Sequence, residues 1–256
     1  MIGAIAGDMI GSPYESRPVK TAAVPLVAAD FTDDTVLTVA VANAILRRSG
    51  YGACIACLAR SFPNLPYGGS FWHWIWDPNS IPYYSFGNGS AMRVSPVGFA
   101  FESVDAVMAQ AKRSAEVSHN HPEGIKGAQA TALAVFLARK GVDKAAIRRQ
   151  IEARFDYCLD VSIDEIRSGY CFDVTCQGSV PQSIIAFLDS SDYATAVRNA
   201  ISLGGDADTM ACIAGGIAQA FYKKVPADLV HQVRQRLPDP LLAIVDRFTE
   251  TFDCVY

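Results

Sequence analysis

Along most of this 256-residue chain the apolar positions recur at intervals of three and four, with alanine filling many of them. That is the period of helices with one buried face. It predicts helices over 33–49, 104–118, 123–140, 143–155, 192–202, 207–222 and 239–252. Their edges carry helix punctuation: Asp143 stands before Lys144-Ala145-Ala146-Ile147, Ser191-Asp192 before Tyr193-Ala194, and Pro226 before Ala227-Asp228-Leu229. Residues 179–190 also read as a helix, with Ser179 as its cap and Pro181 in its first turn. Strand-like alternation is scarce, and Phe172-Asp173-Val174-Thr175 is its clearest instance. The expected fold class is all-α.

Two stretches break the helical period. Residues 12–32 hold Pro13, Pro18 and Pro25, and residues 61–90 are rich in Pro, Gly and Asn. Long loops in a compact domain are usually functional or disordered. In the second stretch Phe71, Trp72, Trp74, Trp76, Tyr83, Tyr84 and Phe86 argue against disorder, and they either cover the core or line a site. No linker-like composition divides the chain, so a single domain over 1–256 is expected.

Composition narrows the function classes. Half of the residues are hydrophobic and the formal net charge is −4, with lysine and arginine scattered. A surface for nucleic-acid phosphates normally needs a clustered basic face, so no such partner is expected. Seven cysteines lack the spacing of a disulfide framework. The pair Cys54 and Cys57 lies in an apolar stretch and reads as small buried hydrophobes in a reducing, cytoplasmic setting. The N-terminal residues lack a basic region, and Asp8 interrupts their apolar run. Neither a signal peptide nor a membrane span is expected.

The candidate chemistry lies in two helix starts far apart in the chain. One reads Phe31-Thr32-Asp33-Asp34-Thr35, the other Gly204-Gly205-Asp206-Ala207-Asp208-Thr209, and both lead into apolar, small-residue helices. Asp and Thr commonly cap free helical N–H groups, which accounts for either segment alone. A cap needs one oxygen, however, and each start supplies two carboxylates and a hydroxyl. Buried carboxylates without a compensating cation are costly. Four carboxylates and two hydroxyls converging would make an all-oxygen site for hard cations such as Mg²⁺ or Mn²⁺. Two ions about 3.5–4 Å apart would then be able to activate a water. Gly204-Gly205 would allow close backbone approach.

Three further motifs accompany them. Gly7-Asp8-Met9-Ile10-Gly11-Ser12-Pro13-Tyr14-Glu15 places helix-packing glycines ahead of a lone acid in a loop. Gly87-Asn88-Gly89-Ser90-Ala91-Met92-Arg93 is a Gly-rich turn entering a helix, either an ordinary junction or a set of free N–H groups for a phosphate. Ser118-His119-Asn120-His121-Pro122 has two histidines but no third nitrogen or sulfur ligand, which argues against zinc.

Together and in this order, these motifs resemble the ADP-ribosylglycohydrolases, the group of dinitrogenase-reductase-activating glycohydrolase and the vertebrate ADP-ribosylhydrolases. The resemblance runs from residue 1 to about 222, and Gly204–Thr209 with the upstream Thr32–Thr35 is its most specific part. It implies a compact orthogonal multi-helix bundle with a binuclear Mg²⁺ or Mn²⁺ centre. It implies Thr32, Asp33, Asp34, Asp206, Asp208 and Thr209 as metal ligands, with Thr35 structural. Glu15 matches a mobile glutamate with a part in catalysis. Gly87, Asn88, Gly89 and Ser90 would line the diphosphate of ADP-ribose, with Met92 behind them, Phe86 against the ligand and His119 near the distal ribose and diphosphate.

The expected reaction is hydrolysis of the N- or O-glycosidic bond between ADP-ribose and an acceptor, foremost ADP-ribosyl-arginine on a protein. A carboxylate among Glu15, Asp33 and Asp34 would manage the proton, with the assignment among them open. Other ADP-ribosyl linkages, such as O-acetyl-ADP-ribose, ADP-ribosyl-serine or a modified nucleobase, and a non-catalytic ADP-ribose-binding or structural role are the alternatives. The expected partner is an ADP-ribosylated substrate, with no membrane and no nucleic acid, and the expected state is a monomer. Two positions depart from the family's pattern. Gln219 and Lys223 stand where a small residue and a closing glycine are usual.

Overall fold

A computed structural model describes residues 1–77 and 79–256. Among them the elements are helices, in the order α1 Ile2–Glu15, α2 Asp33–Arg47, α3 Tyr51–Ser61, α4 Gly69–Trp76, α5 Gly89–Met92, α6 Ser95–Ala100, α7 Val104–Glu116, α8 Pro122–Arg139, α9 Lys144–Phe155, α10 Ile163–Arg167, α11 Cys176–Leu188, α12 Tyr193–Ile201, α13 Ala207–Tyr222, α14 Ala227–Arg236 and α15 Asp239–Thr251. The fold is all-α, as the periodicity predicts.

The centre of the molecule is an antiparallel pair, α1 against α13, and glycine makes it possible. A Cβ at Gly7 would stand 2.1 Å from the Ala211 carbonyl oxygen, and one at Gly11 would stand 2.4 Å from that of Ala207. At the far end a Cβ at Gly3 would meet the Gly215 carbonyl at 2.7 Å. Small residues spaced by four on both helices therefore bring the backbones into contact. The pairing sets the last turns of α1 beside the first turn of α13, which is how Glu15 comes to lie near Asp206 and Asp208. Gly7→Ala is expected to destabilise the protein by about 3 kcal/mol, at the upper end for overpacking because rigid backbone faces the new methyl. A thermal melt reads that loss directly.

The same pair explains the departure at Gln219. Its Oε1 accepts from the Met1 and Gly3 nitrogens at 2.7 and 2.8 Å, and its Nε2 donates to the Val255 carbonyl. One buried amide thus satisfies the otherwise unpaired donors at the start of α1 and ties down the C-terminal segment. Lys223 ends α13 in the left-handed region at φ 52°, the conformation that a glycine adopts without strain.

Several expectations are corrected. Glu15 is not in a loop: α1 continues through Pro13 and ends on Glu15. Phe172–Thr175 forms no strand. It makes only an isolated bridge, Gly87 to Thr175, where Asn88 N donates to the Val174 carbonyl and Cys176 N to that of Phe86. With no further strand beside it, the pairing cannot extend. The helix expected from 179 begins at Cys176 and is capped by Thr175, while the Ser179 hydroxyl donates back to the Thr175 carbonyl inside the helix. The aromatic stretch 61–90 contains α4 and the start of α5, and it buries Phe71 and Trp74 in the core. Cys57 is exposed and Cys54 half-buried on α3, so the pair is not buried as its apolar neighbours suggest.

Candidate metal centre and ligand cleft

Four segments converge at one end of the α1–α13 pair. From α13 come Asp206, Asp208 and Thr209; from α2 come Thr32, Asp33 and Asp34; from α1 come Asp8 and Glu15; from the turn before α5 comes Asn88. Carboxylate oxygens of Asp8, Asp34 and Asp208 lie within 4.8 Å of one another, as do those of Glu15, Asp206 and Asp208. All but Glu15 and Asp33 among these acids are buried.

Helix capping accounts for only one of the candidate residues. Thr32 does cap α2, its Oγ1 accepting from Asp34 N at 3.2 Å. Asp206 stands at the N-cap position of α13 and makes no capping bond; its Oδ2 accepts from Asn88 Nδ2 at 2.7 Å. Asp34 Oδ1 is buried with no hydrogen-bond partner. No ion pair among the described residues involves any of these aspartates. Burial, and then the neighbouring carboxylates, push Asp33, Asp34 and Asp208 well above the usual carboxyl range, and burial raises Asp206 as well. An array of buried carboxylates that pairs with no cationic side chain among the described residues and holds one orphaned oxygen fits a hard divalent cation, for which oxygen donors of this kind are the ordinary ligands.

Asp8 is the residue that sequence reasoning did not assign. It is fully buried, and four donors address it: Thr32 N at 3.0 Å, Thr32 Oγ1 at 2.8 Å, Thr35 N at 3.1 Å and the Thr35 hydroxyl. It therefore anchors the first turn of α2 to α1 and fixes where Asp33 and Asp34 point. Burial lifts its carboxyl to about 7 despite these donors. Thr35 is structural, as expected, and its purpose is this contact. Asp8→Ala would leave four donors without an acceptor. A loss of about 3–5 kcal/mol is expected, since unmet buried donors cost roughly 1–3 kcal/mol each and the site relaxes in part; denaturant unfolding measures it.

From the acidic end a cleft of ≈ 550 Å³ runs between the aromatic segment and the Gly87 turn. Glu15, Asp33, Asp34, Asp206, Asp208 and Thr209 line one end, and Phe86, Gly87, Asn88, Gly89, Met92 and His119 are among the residues that line the rest. Phe86 is 45% exposed on the rim, edge-on to His121. Two candidates do not line the cleft. The Thr32 hydroxyl donates to Asp8, and Ser90 is fully buried with its hydroxyl donated to the Gly124 carbonyl. Arg93, absent from the expected set, does line it and is fully buried.

The chain is similar to known proteins along nearly its whole length. The family model described as ADP-ribosylglycohydrolase matches residues 1–255. ADP-ribosylhydrolase ARH3 of Mus musculus is 26% identical over 309 residues, covering 87% of this chain and 82% of that protein. ADP-ribosylarginine hydrolase Tri1 of Pseudomonas putida is 26% identical over 280 residues, covering 91% of this chain and 72% of that protein. A solved structure described as an ADP-ribosylglycohydrolase-related protein complex superposes with a TM-score of 0.70 at 20% identity, over 97% of this chain and 96% of that one. This last likeness bears on the fold.

Proposed function

The chain belongs to the ADP-ribosylglycohydrolase family of glycosidic-bond hydrolases, and from that premise we propose that it hydrolyses the bond between the distal ribose of ADP-ribose and an acceptor, foremost the arginine of an ADP-ribosylated protein. The observation that carries this reading is the orphaned, buried Asp34 Oδ1 within reach of Asp8 and Asp208, beside a cleft large enough for a nucleotide sugar. The name of the Tri1 relative supports arginine as the linked residue.

Asp33, Asp34, Asp206, Asp208 and Thr209, with Thr32 behind them, would hold two Mg²⁺ or Mn²⁺ ions. Such ions supply positive charge and Lewis acidity toward the ribose hydroxyls and a reacting water. The carboxylates themselves place negative charge near the anomeric carbon, where an oxocarbenium-like transition state develops positive charge. In the balanced reaction the C1–N bond to arginine breaks, a water oxygen bonds to C1, and the departing nitrogen takes a proton. Glu15 is suited to that proton traffic. Its carboxyl is half-buried at the cleft mouth, and burial, then Asp208 and Asp8, raise its pKa above the ordinary value. Gly87, Asn88, Gly89, Met92, Phe86 and His119 form the wall along which the ADP moiety would lie. One contiguous core supports a single domain over 1–256. Seven unpaired thiols support a reducing, cytoplasmic setting. Among the described residues, no helix is long and apolar enough to cross a membrane.

The test is release of free ADP-ribose from ADP-ribosyl-arginine, ADP-ribosyl-serine and O-acetyl-ADP-ribose, with Mg²⁺ or Mn²⁺ and with EDTA. Release that EDTA abolishes is expected, fastest from ADP-ribosyl-arginine. Measurable ADP-ribose binding with no release from any of the three would sink the enzymatic reading. Glu15→Ala is expected to slow turnover about a hundredfold, the usual range for a proton-transfer group, with an unchanged melting temperature; equal rates would make Glu15 a bystander.

A further inference from the structure

His119 faces the Gly87–Gly89 turn. A Cβ built at Gly89 would stand 3.1 Å from His119 Nε2 and one at Gly87 3.6 Å from it. No protein group among the described residues bonds to Nε2, whereas Nδ1 lies 2.8 Å from the Ser118 hydroxyl. What Nε2 offers the cleft depends on which nitrogen carries the proton, and the neighbours of Ser118 decide that.

Ser118 is fully buried, and its Oγ accepts from Arg93 Nη2 at 2.9 Å. Arg93 has no acceptor role, so the direction of this bond is fixed. The Ser118 hydroxyl hydrogen then needs an acceptor of its own, and His119 Nδ1 is the acceptor within reach. Were Nδ1 protonated, the Ser118 oxygen would accept twice and its hydrogen would be left buried without a partner, at a cost of about 1–3 kcal/mol. We infer that Ser118, oriented by Arg93, is a positioning residue that fixes His119 as the tautomer protonated on Nε2, making it a hydrogen-bond donor aimed across the Gly87–Gly89 turn at an anionic group of the ligand. Burial, and then the Arg93 charge, hold the His119 pKa well below its usual value, so the ring stays neutral at physiological pH. Arg93 adds a second element to this wall. Its guanidinium is fully buried, Nε and Nη1 have no partner, and no carboxylate pairs with it among the described residues. The wall thus combines a neutral donor with an uncompensated positive charge behind it, a combination suited to a phosphate or diphosphate.

The ligand half of this inference rests on the ADP-ribose reading; the tautomer half does not, and the two are measured separately. Long-range ¹⁵N–¹H correlation on ¹⁵N-histidine protein without ligand reads the tautomer, with the His119 signal assigned by its loss in His119→Gln. The wild type is expected to show protonated Nε2 and unprotonated Nδ1. Ser118→Ala is expected to give a mixture of tautomers and to weaken ADP-ribose binding about tenfold, the worth of one hydrogen bond to a charged acceptor. Ser118→Thr, which keeps the hydroxyl, is expected to restore both. Should Ser118→Ala fail to fold, Ser118→Cys, with its weak donor, makes the same comparison. A wild-type His119 protonated on Nδ1, or a tautomer unchanged on loss of the hydroxyl, overturns the inference. The expected tautomer pattern without ADP-ribose binding to the wild type upholds the relay and removes the ligand reading.

Discussion

Asp34→Asn is expected to lower turnover by about a thousandfold or more while raising the melting temperature of the cation-free protein. The two effects have one cause. Asp34 is only 2% exposed, one of its oxygens has no partner, and Asp8, Asp33, Asp206 and Asp208 surround it. Without a cation its charge is uncompensated, so a neutral amide of nearly the same shape relieves burial and like-charge repulsion. For a domain of this size each kcal/mol relieved raises the melting temperature by about 2–4 °C. With the charge gone, the site loses a ligand and much of the electrostatic stabilisation it can offer a cationic transition state, an effect of about 10²–10³ or more. Stability sacrificed at a functional site is a common pattern. Melting in EDTA and ADP-ribose release with Mn²⁺ measure the two halves independently. A fall in both would assign Asp34 to the fold alone.

The second large effect is a pH-dependent stabilisation by divalent cation. The acids of the cluster have folded-state pKa values raised above those of the unfolded chain. Their contribution to stability is therefore complete below the ordinary carboxyl range and is lost as pH rises through the raised values. For Asp8, which burial moves from 3.8 to about 7, the loss falls between those two values. The buried Met1 amine, lowered to about 5, and the lowered His119 act in the opposite sense over much of the same range. Wild-type melting against pH alone therefore mixes both. The difference between melting temperatures with and without Mg²⁺ isolates the cluster, because the cation competes with protons only there. That difference is expected to be small near pH 5 and to grow toward pH 8. A shift independent of pH would mean that the cation binds elsewhere.

The helix starts at 33 and 207 were legible because acids and hydroxyls interrupt an apolar period there, and the fold class followed from the period itself. The α1 helix was harder to read. Its glycines read as helix-packing positions, but what they pack against, Ala207, Ala211 and Gly215 on α13, lies about two hundred residues away. Asp8 was on the page as a charge inside an apolar run, but the donors that explain it, Thr32 and Thr35, become its neighbours only on folding. Helices α3 and α4 carry little helical signal because Gly, Cys and Trp are weak helix formers, and tertiary packing rather than propensity holds them. In the sequence Ser118 and Arg93 belong to separate motifs; they become neighbours only once α7 carries Ser114 and the following turn over the Gly87–Arg93 segment.

The central claim is that the oxygens of α1, α2 and α13 form a divalent-cation centre at the end of the cleft. Anomalous diffraction from crystals grown with Mn²⁺ tests it most directly. Two manganese peaks within ~2.0–2.3 Å of carboxylate oxygens of Asp34 and Asp208 are predicted, with Asp33, Asp206 and Thr209 completing the ligands. Manganese absent from this cluster at saturating concentration, or ordered only at surface acids, would contradict the account.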